Sequence, residues 1–208
     1  MASPLLRGLI LGFAIAASPG PIFFLCLKRT LTRGWSSGVA SGLGVATGDG
    51  IYAALAAFGV AAITSVLVAQ RRWLALLGGA ALLVLGMRSL LSSPATPESD
   101  AVPGHARYAA GYTSTLGLTL TNPATILAFA AVFAGLGLGR TGWGTGALVL
   151  VLGVLLGSAA WWVVLASLVA SFRGRITPAV VRGISVLSGL AILAFGALAI
   201  ASAVGGYR

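Results

Sequence analysis

The chain has 208 residues, 58% hydrophobic and 8% charged, with a mean hydropathy of +1.03; a soluble domain would carry about 25% charged residues, so that class is excluded. The formal charge of +10 does not indicate a nucleic-acid partner, because the basic residues sit at the ends of apolar runs rather than on one face or arm. A single cysteine, Cys26, excludes a disulfide framework and a thiolate metal cluster.

Apolar runs of membrane-spanning length recur along the chain. They divide into six expected spans at about 5–27, 37–66, 73–91, 111–138, 146–170 and 179–203. In the first, Arg7, an apolar run and the small residues Ala14 to Ser18 imitate a signal peptide. The apolar character continues through Cys26 before meeting Lys28 and Arg29, so the segment reads as a transmembrane helix.

Inside that span stands Ser18-Pro19-Gly20-Pro21. Proline lacks an N–H and clashes with the carbonyl four residues back, so Pro19 frees the carbonyl of Ile15 and Pro21 that of Ala17. An unsatisfied backbone group in hydrocarbon costs several kcal/mol, so such breaks persist only where protein, water or ligand satisfies them. Freed carbonyls can hold a cation, and the N-terminus of the next half-helix can hold a carboxylate. A plain kink is the alternative, since Pro and Gly are common in membrane helices. Two prolines flanking a glycine, answered by a second break further on, favour a site.

The second span is longer than 20 residues, which implies tilt or extension beyond the bilayer. It holds Asp49, the one acid within any span. Counted from Ser37, Asp49 lies roughly 18 Å deep, near the middle of a ~30 Å core. A charge there costs at least ~2.5 kcal/mol, which makes the default reading functional. Gly38, Gly42 and Asp49 fall on one stripe, and small residues on a stripe let helices approach closely. Asp49 is therefore expected to face the bundle, where it can cycle a proton, pair with an ammonium or serve as structural glue.

After the third span, residues 92–108 hold three prolines, His105, Glu98 and Asp100. This composition reads as an exposed polar linker, with His105 an ordinary surface histidine. The organisation is then a first three-helix repeat at 1–91, a cytoplasmic linker at 92–110 and a second repeat at 111–208. The fourth span carries Asn122-Pro123, where Pro123 frees the carbonyl of Thr119. Thr115, Thr119 and Thr121 form a polar face that can bind substrate or a neighbouring helix. Gly153/Gly157 and Ser185/Gly189 read as helix-packing stripes, and Trp161 and Trp162 as lipid or core packing rather than a cavity lining.

The two halves can be laid on each other. Gly34-Trp35 corresponds to Gly142-Trp143, Gly48-Asp49 to Gly157-Ser158, Ser18-Pro19 to Asn122-Pro123, and Tyr52 to Trp161 after a one-residue shift. Three spans per half insert with opposite topology, the inverted repeat of many secondary transporters. The fold class is thus an all-α membrane protein of six transmembrane helices in two inverted three-helix repeats. With both termini outside, the cytoplasmic side holds Lys28, Arg29, Arg33, Arg88, Arg107, Arg173, Arg175 and Arg182, and the other side Arg7, Arg71, Arg72, Arg140 and Arg208. That asymmetry favours the stated orientation. No H-E-x-x-H, phosphate-binding Gly-Lys loop or Ser/His/Asp set at membrane depth is present, which argues against an enzyme and against ATP-driven transport by this chain alone.

Residues 18–55, "SPGPIFFLCLKRTLTRGWSSGVASGLGVATGDGIYAAL", resemble the N-terminal signature of the LysE/RhtB family of amino-acid exporters. "LTNPATILAF" at 120–129 resembles its second signature. The resemblance implies export of amino acids or similar small metabolites across a prokaryotic cytoplasmic membrane, driven by proton exchange, with no cofactor. The partners implied are a small-molecule substrate and the lipid bilayer; a homo-oligomer is left open. The family's motif positions fall on Pro19, Gly20, Pro21, Gly48, Asp49, Asn122 and Pro123, to which the repeat adds Tyr52. Ile22 and Ala124 stand where the family often has polar residues, which widens the cargo to neutral, apolar or non-amino-acid solutes. Export of metal cations, or a membrane redox role that the lone Cys26 ill suits, are the alternatives.

Overall fold

The computed structural model describes residues 3–57, 69–91, 104–122, 125–126, 128–129, 144–172 and 178–205. The helices among them are α1 (Pro4–Ala16), α2 (Pro21–Arg33), α3 (Trp35–Ala57), α4 (Arg71–Leu91), α5 (Gly104–Thr121), α6 (Thr145–Phe172) and α7 (Pro178–Gly205). No strand occurs among the described residues.

Helix α1 starts at Ser3, whose hydroxyl accepts the Leu6 N–H at 3.3 Å, with Pro4 at the first helical position, where a missing N–H is no loss. It ends at Ala16, and α2 leaves the break at 81° to it. The single span expected over 5–27 is therefore two short helices, because Pro19 and Pro21 offer no N–H to carry the ladder through. Gly34 joins α2 to α3 with φ at 91°, a left-handed conformation costly for any residue with a Cβ. Its N–H reaches the Thr30 carbonyl at 3.0 Å.

Helices α3, α6 and the Arg182–Gly205 part of α7 are each long and apolar enough to cross a membrane, and the bent α1–α2 pair passes as a fourth. Helix α4 covers the expected third span. Helix α5 begins at Gly104, so residues 104–110, read from composition as linker, are already helical. His105 is exposed in its first turn.

Close backbone contact sets the packing. Helix α1 lies along α6, α4 along α7, and α3 sits between α5 and α6, while α2 packs against α3, α6 and α7. A Cβ on Gly8 would fall 2.9 Å from the Gly153 Cα, and one on Gly12 2.8 Å from the Val154 Cα. Only glycine lets α1 come this near, and in lipid such contact replaces the hydrophobic drive available in water. Gly79 and Gly196 do the same between α4 and α7, where a Cβ on either would fall 3.0 or 2.9 Å from the other's carbonyl oxygen. Two buried clusters result. One joins Ile22, Cys26, Val45, Leu82, Leu118, Trp162 and Ile192, and the other Tyr52, Ala53, Ile126, Phe129, Leu150 and Val154. Leu148, Leu152 and Leu156, one turn apart on α6, are exposed, as a lipid-facing stripe requires.

Candidate functional site

The first break is built from its own backbone. The Ala17 N–H reaches the Phe13 carbonyl at 2.9 Å, and the Ser18 N–H turns back to the Ile15 carbonyl at 3.2 Å. Gly20 is extended, with φ −150° and ψ −176°, and α2 restarts at Pro21 with no side-chain cap. At the end of α5 the Asn122 N–H likewise turns back to the Thr119 carbonyl, also at 3.2 Å. The sequence-based expectation that Pro19 and Pro123 leave the Ile15 and Thr119 carbonyls free needs correcting. In each case the residue before the proline tightens to a three-residue turn and supplies the missing donor. Pro123 itself lies outside the described residues.

Both breaks open on one cavity of ≈ 400 Å³, within the range of small-molecule sites. Ser18, Pro19, Gly20, Pro21 and Ile22 form one wall, and Asn122, Thr125 and Ala128 another. Gly78, Gly79 and Leu82 of α4 and Phe195, Leu198, Ala199 and Ser202 of α7 complete it. Ser18, Pro19, Leu198 and Ser202 are exposed at its mouth, while Pro21, Ile22, Leu82 and Leu118 are buried at its back. Ser202, Phe195 and Thr125 were not singled out from the sequence; Thr125, one turn beyond Asn122, was the most accessible to pattern reading.

Asp49 lies elsewhere, on the seam between α3 and α6. It is 2% exposed, and its Oδ2 accepts the Ser158 hydroxyl at 2.7 Å. Val154, Ser158, Trp162 and Ala166 form one buried stripe of α6 at four-residue spacing. On α3, a Cβ at Gly38 would fall 3.3 Å from Ala166, and one at Gly42 2.7 Å from the Trp162 ring. The glycine stripe thus brings α6 close enough for Ser158 to reach the carboxyl.

Gly48 and Tyr52 face α5 instead. Gly48 packs on Thr119, with a hypothetical Cβ 2.9 Å from the Thr119 Cβ. The Tyr52 hydroxyl donates to the Leu120 carbonyl at 2.6 Å, and its ring stacks on Phe129 at 5.9 Å. Thr115 donates to the Ser41 carbonyl at 2.6 Å, so this threonine holds a neighbouring helix. The structure therefore brings Pro19, Gly20, Pro21 and Asn122 together around the cavity. Gly48, Asp49 and Tyr52 lie outside its lining, linked to it through the end of α5.

Arg29, counted from sequence only as an orientation signal, is a cross-brace. One guanidinium nitrogen donates to Ser41 Oγ at 3.0 Å and to the Gly111 carbonyl at 3.1 Å, the other to Ser114 Oγ at 2.9 Å. These three bonds tie α2 to α3 and α5 using neutral acceptors.

Long apolar helices, one pair bent by 81° at a break and ending with the end of α5 on a shared cavity, define a multi-pass helical membrane protein. Comparison of sequences makes the class specific: residues 13–203 match the family described as LysE type translocator, and the chain belongs to it. It is 31% identical over 118 residues to the "Uncharacterized membrane protein YahN" of Escherichia coli, covering 56% of this chain and 52% of that one. It is 24% identical over 192 residues to the "Putative amino acid efflux protein YcgF" of Bacillus subtilis, covering 90% of each. It is 30% identical over 134 residues to the "Chemotactic transduction protein ChpE" of Pseudomonas aeruginosa, covering 61% of this chain and 62% of that one. The matched region thus spans about half of the Escherichia coli protein. No solved structure matches.

Proposed function

We propose that the chain is a secondary exporter of amino acids or related small metabolites in a prokaryotic inner membrane, working by proton antiport. The observation that carries this reading is the cavity of ≈ 400 Å³ onto which Pro19-Gly20-Pro21 and Asn122 both open. Membership of a translocator family supports it, as does the similarity to a protein named for amino acid efflux.

In this reading the cavity holds the substrate. The α-carboxylate lies toward the uncapped first turn of α2, where backbone N–H groups and the helix dipole favour an anion. Asp49 carries the coupling proton apart from it. The Gly48–Thr119 contact and the Tyr52–Leu120 hydrogen bond then relay a change at Asp49 to the end of α5, beside Asn122. Two inverted halves supply the alternating access. In support, the repeat aligns Asp49 with Ser158, and these two side chains bond to each other. Helix α1 lies on α6 as α5 lies on α3, which is the exchange such a repeat implies. A metal cargo has less support, since the cavity's polar side chains are hydroxyls and an amide, poor partners for transition metals.

The test is accumulation of radiolabelled amino acids by inverted membrane vesicles energised with a proton gradient. Accumulation that collapses with an uncoupler is expected. Accumulation indifferent to the gradient rules out antiport, and no accumulation of any amino acid rules out amino-acid export.

A further inference from the structure

The chain contains sixteen charged side chains, thirteen basic and three acidic, and none of them stands among the residues described around the cavity. Residues 123–130, "PATILAFA", which continue from Asn122, contain no charged residue either. The polar side chains present, Ser18, Asn122, Thr125 and Ser202, are all neutral. Ser18 and Ser202 sit at the exposed mouth, whereas Ile22, Leu82 and Leu118 at the back are 7%, 8% and 7% exposed. The site is therefore graded: the hydroxyls of Ser18 and Ser202 lie at the exposed rim beside Pro19, Phe195 and Leu198, and branched aliphatic side chains close the inner end.

We propose that the cargo is a small zwitterion with an uncharged, branched aliphatic side chain, typified by leucine, whose apolar part packs against Ile22, Leu82 and Leu118. This rests on the exporter reading and narrows it. Among the described lining residues, a side-chain ammonium or carboxylate brought to the inner end meets no countercharge and no fork of donors, and an unpaired buried charge is costly. Each methylene placed against the aliphatic wall adds to affinity instead. Zwitterionic ends bind through backbone groups and neutral hydrogen-bonding side chains at the break, which do not discriminate among amino acids, so the wall sets selectivity.

The experiment is counterflow in proteoliposomes of the purified full chain, without a proton gradient, using labelled leucine, valine, alanine, lysine and glutamate. Exchange should fall about fourfold for each methylene lost from leucine toward alanine, and lysine and glutamate should run about 70-fold or more below leucine. Lysine or glutamate exchanging as fast as leucine overturns this inference and leaves the exporter standing. No exchange of any amino acid overturns this inference together with the reading of the chain as an amino-acid exporter. Replacing Ile22 by Asp places a carboxylate in the wall, and the lysine-to-leucine ratio should rise at least about tenfold. A milder change in the wall itself, Leu82→Ala, should raise the exchange of labelled phenylalanine relative to leucine by enlarging the same space. Ratios unmoved by both variants overturn the assignment of the wall.

Discussion

The contact between Asp49 and Ser158 allows a test of what the carboxyl does. Its Oδ2 and the Ser158 Oγ lie 2.7 Å apart, with Ser158 at 0% and Asp49 at 2% exposure, so solvent screening is small. A hydrogen bond to an ionised group contributes about 1.5–3 kcal/mol and one between neutral groups about 0.5–1.5 kcal/mol. The double-mutant cycle of Asp49→Asn and Ser158→Ala therefore reports the ionisation state through its coupling energy. The serine hydroxyl stabilises the carboxylate more than the carboxylic acid, so the coupling should grow as the pH rises. It is expected to reach about 1.5–3 kcal/mol where Asp49 is ionised and to fall to about 0.5–1.5 kcal/mol where it is protonated. Equilibrium unfolding of the purified chain in mixed micelles across a pH series measures it. In vesicles, Asp49→Asn should lose gradient-driven accumulation while keeping leucine counterflow. A coupling that is flat with pH, or an Asp49→Asn variant that accumulates substrate at the parental rate, refutes the assignment of the proton to Asp49.

Further outcomes follow from other contacts. Gly12→Val forces a side chain into the Val154 backbone of α6 and should cost about 1–3 kcal/mol as overpacking, seen as a lowered unfolding midpoint. Arg29→Met removes three hydrogen bonds between α2 and its neighbours; a loss of about 1.5–3 kcal/mol is expected, with Arg29→Lys restoring only part because it lacks the planar fork. Tyr52→Phe leaves the ring stacked on Phe129 but removes the donor to the Leu120 carbonyl. It should cost about 1 kcal/mol of stability and slow accumulation more than counterflow. The double change Pro19→Ala and Pro21→Ala restores N–H groups at the break, so transport should fall while the helical circular-dichroism signal is unchanged or higher.

Much of the architecture was legible before any coordinates. Apolar runs of bilayer length announced the helices, because the hydrocarbon interior admits only internally bonded backbone. Pro19, Gly20 and Pro21 marked a break, because proline cannot donate to the helical ladder. The stripe of Gly38, Gly42 and Asp49 implied a close helix neighbour, since small residues at helical spacing permit contact between backbones. Two readings were less successful. Composition placed residues 104–110 in a linker, although they open α5, because a helix start rich in small and polar residues has the composition of a loop. The Ile15 and Thr119 carbonyls were expected to be free, yet each is taken by a local turn, an adjustment that no periodicity records.

Which residues meet across the bundle was decided only by the packing of the helices. Pattern along the chain put Asp49 near mid-membrane and facing the bundle, without saying which neighbour it meets. Depth does not determine azimuth: a residue's neighbours depend on which helix its face is turned toward. Helix α3 turns Asp49 to Ser158 on α6 and turns Gly48 and Tyr52 to α5, while the two breaks converge on α4 and α7. The composition of segments thus specified membrane helices and their interruptions. The separation of a neutral cavity from a buried carboxyl arose from tertiary contacts between residues far apart in the chain, 109 positions in the case of Asp49 and Ser158, a distance over which local sequence exerts no constraint.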